Sequence, residues 1–287
     1  LTPTRDGTGP ARLLDMVEGR SKQVFKTWLA ARPRAWRKGI EVVAMDGFTG
    51  YKTAAVEELG NATTVMDPFH VVRLAGEALT RCRQRVQQDT CGHRGRAGDP
   101  LYRARRTLLT GVDLLTDKQV ARLEALFADE QHTEVYATWS IYQRLVVAYR
   151  NPDKQLGRFL LQGVIYSVST GVPRDLVELV SLGRTLHQRA ADVLAFFDHP
   201  GTSNGPTEAI NGRLEHLRGI ALGFRNLTHY IARSLLETGG FKPALHRSEW
   251  IRGLNPPASS RHLATVCRPV GYVDRLGERP GQAGVNG

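Results

Sequence analysis

Three features are scarce or missing in this chain of 287 residues, and each excludes a class of protein. The three cysteines, Cys82, Cys91 and Cys267, are too few and too far apart for a disulfide framework, and with His93 they lack zinc-site spacing. No stretch approaches the ~18 consecutive apolar residues of a membrane span, and the N-terminus lacks a charged segment followed by an apolar one. We therefore expect neither secretion nor contact with a membrane, and a cytoplasmic location.

Acidic residues are outnumbered by basic ones, 28 against 39, so the chain carries a formal net charge of +11. An excess of this size favours a polyanionic partner, most simply nucleic acid, although GC-rich coding also raises the arginine content. Nine arginines and three acids between residues 73 and 106 give that segment a formal charge of +6. The segment is either a solvated helix face or a DNA-binding surface, and its candidate DNA contacts are Arg73, Arg81, Arg83 and Arg85.

Two short apolar segments, each ending on an aspartate, organise the chain. Ile40–Met45 precedes Asp46, and Ala62–Met66 precedes Asp67. Both segments are typical of buried parallel strands, and Tyr51–Leu59 between them has helical spacing. The pattern predicts a strand, a helix and a second strand, with both aspartates at the carboxyl edge of the sheet, where ligands bind in open α/β sheets.

Helical periodicity covers most of the remaining chain. An amphipathic helix is predicted over residues 21–31, and a long helix follows Pro68 and runs towards Val86. Little strand signal occurs between these residues and the glycine- and proline-rich tail that begins at Phe241. Further helices are predicted over residues 101–128, 133–150, 152–169, 173–197 and 227–238, and from about residue 203.

Asp46 and Glu208 are the candidate ligands for divalent-metal catalysis on phosphodiesters. This chemistry requires hard oxygen ligands around two ions about 4 Å apart. Glu208 and Asn211 share the polar face of a helix whose opposite face carries Ile210 and Leu214. Both carboxylates also have structural interpretations, Asp46 as an acceptor in a turn and Glu208 as a first-turn residue favoured by the helix dipole.

The segment Asp67-Pro68-Phe69-His70 also has two interpretations. Its histidine can orient a carboxylate or contact a phosphate. Its aspartate can instead cap the helix that begins at Pro68, and we slightly favour that role. In the other interpretation, Asp67, His70 and Asn211 hold the metal ligands in position without binding the ions themselves.

The runs VVAMDGFTGYKTAAVEELGNATTVMDPFHVVRLAGEAL and SNGPTEAINGRLEHLRGIALGFRN resemble the DDE transposases of the ISL-three family of bacterial insertion sequences. Both runs occur in the family's order, with a helical region between them, and the resemblance covers about Arg12 to Leu245. It implies a ribonuclease H-like fold in which Asp46 is the second catalytic acid and Glu208 is the third. It also implies two Mg²⁺ or Mn²⁺ ions in the complete protein.

The resemblance further implies a division of the chain into four parts. Residues 1–80 belong to the core, 81–200 form an all-helical insertion, 201–240 return to the core with Glu208, and 241–287 form an extended or disordered basic tail. The fold class is therefore α/β, predominantly helical and incomplete. The family's first aspartate lies on a strand expected before Leu1, together with zinc-ribbon and helix-turn-helix segments that recognise transposon ends.

Three functions remain open on the sequence. The first is a DNA transposase that cleaves transposon ends, joins them to target DNA and acts as a homo-oligomer at the nucleoid; this chain would be an N-terminally truncated part of it. The second is a ribonuclease H-like nuclease or resolvase that uses the same acids without strand transfer. The third is a non-catalytic, basic DNA-binding remnant.

Overall fold

The computed structural model describes residues 11–240 and 262–265 of the chain. Within these residues the protein is mostly helical and contains one small parallel sheet. None of the described helices is long and apolar enough to cross a membrane. The predicted tail at 241–287 lies outside the described residues, except for the four residues of one strand.

The sheet has three parallel strands in the order β2, β1, β3. They are β1 (Ile40–Met45), β2 (Thr63–Met66) and β3 (His262–Thr265). Every residue of β1 except Glu41 is buried, as expected for a central strand covered on both faces. The predicted parallel pairing of the first two strands is confirmed, with Met45 opposite Met66.

Three helices flank the sheet, namely α1 (Lys22–Ala30), α2 (Arg34–Lys38) and α3 (Thr49–Leu59). The first begins where the Ser21 hydroxyl accepts a hydrogen bond from the Val24 N–H, which satisfies a helix N-terminal donor. Their apolar faces form one core cluster with β1, in which Leu29, Ile40, Val43, Met45, Ala55 and Leu59 are buried. The helices predicted over residues 21–31 and 51–59 are thus confirmed to within two residues.

Helix α4 (Pro68–Cys91) connects the sheet to the helical part of the chain. Pro68 occupies its first turn, where the missing N–H is not needed, and Gly92 ends it with φ 72°. The helix continues without a break across residues 80 and 81, so the predicted core and insertion share one rigid element. The four-part division itself stays a prediction.

The helical block comprises α5 (Pro100–Arg103), α6 (Asp117–Phe127), α7 (Thr133–Arg150), α8 (Lys154–Thr170), α9 (Val177–Gln188) and α10 (Ala190–Asp198). Two segments that were each predicted as one helix are interrupted in the structure. The segment 101–128 is interrupted by two short 3₁₀ turns, and α6 begins only at the Thr116 and Gln119 capping box. The segment 173–197 forms two helices because Arg189, at φ −111° and ψ 15°, leaves helical geometry between them.

The last two described helices, α11 (Gly205–Ile220) and α12 (Leu227–Thr238), form a hairpin. Ile210 and Leu214 of α11 are buried against Leu13, in a core cluster separate from the helical block. The Leu13 N–H donates to the Thr238 carbonyl oxygen at 2.8 Å, which fixes the N-terminal segment to the hairpin. The predicted helix over residues 227–238 is confirmed.

Helices α8 and α9 pack closely at Gly183, and this contact leads to a stability prediction for two glycine variants. A Cβ at Gly183 would lie 2.1 Å from the Val168 carbonyl oxygen, whereas a Cβ at Gly163 on α8 would meet nothing within 4 Å. We expect Gly183→Ala to lower the free energy of unfolding by about 1–3 kcal/mol because the helices must separate.

Gly163→Ala is the matched control, and we expect it to raise the free energy of unfolding by about 0.5–1 kcal/mol. Urea denaturation followed by circular dichroism measures both variants. Equal effects of the two substitutions would contradict the close packing of α8 on α9.

Candidate active site

Asp46 lies directly after β1, at the carboxyl edge of the sheet, and is half-buried. Its Oδ1 accepts a hydrogen bond from the Phe48 N–H at 3.2 Å, which orients the carboxylate across a tight turn. Asp67 follows the neighbouring strand, and its N–H donates to the Met45 carbonyl oxygen at 2.9 Å. The two aspartates are therefore adjacent, at the edge of the sheet where the sequence predicted them.

The Asp67 carboxylate is 3% exposed and accepts two backbone hydrogen bonds. Its Oδ2 accepts from the His70 N–H at 3.1 Å and thereby caps α4, so the interpretation as a helix cap is confirmed. Its Oδ1 accepts from the Asn204 N–H, also at 3.1 Å. This second bond was not predicted, and it fixes the start of α11 to the end of β2.

Glu208 lies in the first turn of α11, four residues after Asn204, and its side chain is exposed. Four helical residues correspond to about 6 Å along the axis. The bond between Asp67 and Asn204 thus joins the start of the helix of Glu208 to the end of β2, the strand paired with β1. A shared metal site of Asp46 and Glu208, with the half-buried Asn211 behind it, stays a prediction. Residues 11–240 and 262–265 contain no group of three or more His, Cys, Asp or Glu that could hold a metal ion.

His70 stands beside the turn that follows Asp46. Its Nδ1 lies 3.1 Å from Nη2 of Arg73, and because a guanidinium only donates, Nδ1 accepts and Nε2 carries the proton. Burial lowers the pKa of His70 and the Arg73 charge lowers it further, against the opposing effect of Asp46 and Asp67. A Cβ at Gly47 would lie 2.5 Å from Nε2, so only glycine leaves room for this ring.

A buried ionic cluster that the sequence did not predict holds the other side of the same turn. Arg189, between α9 and α10, donates from Nη1 to the Gly47 carbonyl oxygen at 3.1 Å and from Nε to Asp192 at 2.5 Å. Asp192 also accepts from the Thr64 hydroxyl at 2.7 Å and forms an ion pair with Lys52 at 2.8 Å.

Burial alone would raise the pKa of Asp192, but hydrogen bonds from Lys52, Arg189 and Thr64 outweigh it and keep that pKa below its ordinary value. The carboxylate is therefore charged at neutral pH and pairs with both cations. Through this cluster the helical block contacts the sheet and the turn behind Asp46. No local sequence signal could reveal it, because Thr64 and Asp192 are 128 residues apart.

The four predicted DNA-contacting arginines do not form one surface, which corrects their grouping. Arg73 and Arg81 are exposed on α4. Arg83 is 5% exposed, hydrogen-bonded to Gln87 and 6.0 Å from the centroid of the Tyr102 ring. A spacing of two residues turns a helical side chain to the opposite face, so a run of alternating arginines cannot share one side.

Arg85 joins three helices of the block and is not available to a phosphate. Its guanidinium pairs with Glu178 of α9 at 2.9 Å and with Glu134 of α7 at 2.5 Å. Hydrogen bonds to Glu178 and Glu134 raise the pKa of Arg85 above its ordinary value. This arginine therefore stabilises the packing of α4 on α7 and α9.

The two predicted metal ligands carry donor atoms that suit a hard divalent cation and not a soft one. Asp46 and Glu208 have carboxylate oxygens, which Mg²⁺ and Mn²⁺ prefer, whereas both oxygens of Asp67 already accept backbone N–H groups. Cys82 is buried in the helical block, and burial raises the pKa of its thiol to about 11. It is therefore a neutral thiol at neutral pH.

Comparison with known proteins identifies the family. A family model described as Transposase, that of the ISL3 type of DDE transposases, matches residues 2–234. The chain is also similar to the transposase for insertion sequence element IS1557 of Mycobacterium tuberculosis, in the strains CDC 1551 / Oshkosh and ATCC 25618 / H37Rv. No solved structure matches the chain. The chain belongs to the ISL3 family of DDE transposases.

The matched region covers a larger share of this chain than of its relatives. Each relative is 24% identical over 254 residues, which cover 82% of this chain and 56% of the relative. The chain thus spans about half the length of the curated relatives that it matches.

The second bond of Asp67 generates a stability prediction. Asp67→Asn keeps one capping oxygen but places an NH₂ group against one of two buried N–H donors. We expect it to lower the free energy of unfolding by about 1–3 kcal/mol, and to speed amide hydrogen exchange in the first turn of α11.

Asp153→Asn is the matched control, because Asp153 caps α8 with hydrogen bonds to Gln155 and Leu156 only. Asparagine and aspartate are similar N-caps, so we expect a change below about 0.5 kcal/mol. Thermal denaturation and exchange mass spectrometry measure both variants. Unchanged exchange in α11 of the Asp67 variant would contradict the proposed tether.

Proposed function

We propose that this chain supplies the second and third metal-binding carboxylates of an insertion-sequence transposase that cleaves and joins DNA. The observation that carries the proposal is the hydrogen bond between Asp67 and Asn204, which joins the start of the helix of Glu208 to the end of β2, the strand paired with the one that precedes Asp46. Family membership supports the reaction class, and the two carboxylates support the use of Mg²⁺ or Mn²⁺.

The metal ions would supply charge stabilisation at the attacked phosphate and would activate the nucleophile. In this chain Asp46 and Glu208 would hold the ions. We propose that a third carboxylate comes from the first strand of a ribonuclease H-like core. The parallel sheet and the bond between Asp67 and the start of α11 support that core.

The remaining residues of the site keep Asp46 in place. Arg189 binds the Gly47 carbonyl oxygen from one side, and the His70 ring packs against Gly47 from the other. His70 presents an N–H donor beside the turn, which suits contact with a phosphate oxygen. A turn fixed on two sides presents its carboxylate in one geometry, as metal placement requires.

The proposed substrate is DNA at transposon ends and target sites. We further propose that the protein acts at the nucleoid. We also propose that it acts as a homo-oligomer. Arg73 and Arg81 are exposed on α4 and are proposed to contact phosphates. Arg83 is left out of this proposal because it is buried, and Arg85 because carboxylates of α7 and α9 bind it. The partners of Arg73, which are His70 and Glu77, lie on α4 itself and leave its side chain exposed.

A non-catalytic DNA-binding role is the second candidate. It is favoured by the finding that the described residues contain no group of three metal-binding side chains. A basic chain with two of three ligands would still bind phosphates through its arginines. A nuclease or resolvase that uses the same acids would release cleaved ends without joining them.

DNA cleavage is expected only from a protein with a complete set of metal-binding carboxylates. Joined to the N-terminal segment of a complete family member, this chain should nick supercoiled plasmid in Mg²⁺ or Mn²⁺. Asp46→Asn and Glu208→Gln should each abolish nicking and keep DNA binding, because each removes one ligand charge and preserves shape.

Glu124→Gln on the exposed surface of α6 is the control, and it should keep full nicking activity. Gel analysis of nicked and joined products separates the candidates. Joined products support the transposase, cleavage alone supports the nuclease, and binding without cleavage supports the second candidate. Nicking that survives Asp46→Asn would show that the catalytic centre lies elsewhere.

The DNA-contact prediction uses salt dependence. Binding to duplex DNA should weaken linearly on a plot of log affinity against log salt, with a slope of ~0.9 per phosphate contact. Replacing Arg73 and Arg81 together by glutamine should lower that slope by about 2. Arg85→Gln should leave the slope unchanged and lower the melting temperature, because its partners are Glu134 and Glu178. A slope unaffected by the double change would remove α4 from the DNA interface.

A further inference from the structure

The turn between α11 and α12 presents an apolar side chain almost completely to solvent. Leu222 is 97% exposed, and Ile220, at the end of α11, is 69% exposed. No other leucine among the described residues has a comparable exposure. Neither Leu222 nor Ile220 belongs to a core cluster. The pair therefore forms a narrow apolar tip on a hairpin and not a broad patch.

The backbone at this tip is in a conformation that leucine disfavours. The Leu222 N–H donates to the Gly219 carbonyl oxygen at 3.1 Å, and the Gly223 N–H donates to that of Arg218 at 2.9 Å. These two bonds form a Schellman motif, whose left-handed residue is usually glycine. Leu222 occupies that position with φ 52°, and it is the only non-glycine residue with positive φ in the described part of the chain.

Folding stability does not explain a leucine at this position. Glycine would adopt the same φ without the clash between Cβ and carbonyl oxygen, and the exposed leucine gains no packing in return. A strained residue that persists without a structural benefit is characteristic of a functional contact. The stability of the fold therefore gives no reason for a leucine at the tip.

The charges around the tip indicate its partner. Arg218 and Arg225 flank Leu222 in sequence, and Arg213 and Arg233 lie on the two helices behind it. Among the described residues, the only ion pair of this group joins Arg218 to Glu215 at 2.8 Å, so three of the four guanidiniums have no carboxylate partner. A second copy of the chain would bring the same positive charges, whereas a polyanion would neutralise them.

We propose that Leu222, with Ile220 beside it, is a wedge that enters a base step of duplex DNA while the surrounding arginines bind the flanking phosphates. Apolar side chains that partly unstack a base step and kink the duplex are a known mode of DNA deformation. This inference rests on the proposed DNA substrate and adds a position at which the DNA is distorted.

The length of α11 limits how far from Glu208 the distortion lies. Ile220, the last residue of α11, is twelve residues after Glu208, a separation of about 18 Å along the helix axis, and Leu222 follows just beyond it. This distance corresponds to roughly five base steps of a duplex with 3.4 Å per step. DNA that lies along α11 and reaches the carboxylate at its start would be unstacked about five base pairs away.

The test uses the full chain and a mixed-sequence duplex of about 30 base pairs. A 2-aminopurine is placed at successive positions in a series of duplexes, and its fluorescence rises when the base is unstacked. We expect wild-type protein to raise the fluorescence at one or more of these positions. Leu222→Gly should remove this rise, weaken binding several-fold and keep or raise the melting temperature, because glycine fits the left-handed position.

Two variants serve as controls. Leu222→Met keeps a long apolar side chain and should retain the fluorescence rise. Leu236→Ala removes another leucine, 52% exposed on α12 and away from the tip, and should also retain it. Light scattering of wild type and Leu222→Gly measures whether the tip joins two copies of the chain.

The outcomes separate the wedge from the proposed function. Duplex binding with a rise that Leu222→Gly abolishes supports the wedge. Duplex binding without a rise, or with a rise that Leu222→Gly retains, overturns the wedge and leaves the proposed function standing. A dimer that Leu222→Gly converts to a monomer, with an unchanged fluorescence rise, also overturns it. Absence of duplex binding by the wild-type protein overturns both.

Discussion

The arrangement of the candidate site depends on the hydrogen bonds of the buried Asp67 carboxylate. A charged group at 3% exposure is expensive to bury unless hydrogen bonds replace its lost hydration. Two backbone N–H groups, from His70 and Asn204, do so, and the first belongs to the N-terminus of α4, where the helix dipole favours a negative charge. One side chain thus joins β2, α4 and α11, so that a helix 137 residues further along the chain returns to the sheet edge.

A second buried group couples the helical block to the same edge. Asp192 accepts from Thr64 of β2 and pairs with Lys52 of α3 and with Arg189, whose guanidinium also reaches the Gly47 carbonyl oxygen. Removing one member of such a cluster leaves an uncompensated buried charge, so its members are retained together. Movement of the helical block would therefore be transmitted to the turn that follows Asp46.

Basic residues in this chain serve two physically different purposes. Arg85 and Arg189 are bound by carboxylates and stabilise contacts between helices or between a helix and the sheet. Arg73 and Arg81 remain on the surface, where a guanidinium keeps its hydration and is available to a phosphate. The count of 39 basic residues therefore overstates the proposed DNA-binding surface, since carboxylates neutralise some of these residues inside the fold.

The sequence by itself determined the local elements, because strand and helix signals depend on neighbouring residues. Ile40–Met45 and the helix over 227–238 are present as predicted, and the motif around Asp46 and the one around Glu208 were sufficient for the family. The tertiary structure alone decided which side chains meet. The contacts of Asp67 with Asn204 and of Arg189 with Gly47 join residues more than 130 positions apart, and burial of alternate arginines on α4 depends on which helices pack against it. No periodicity in the chain encodes such long-range contacts, since they arise only when separate elements bury their faces together.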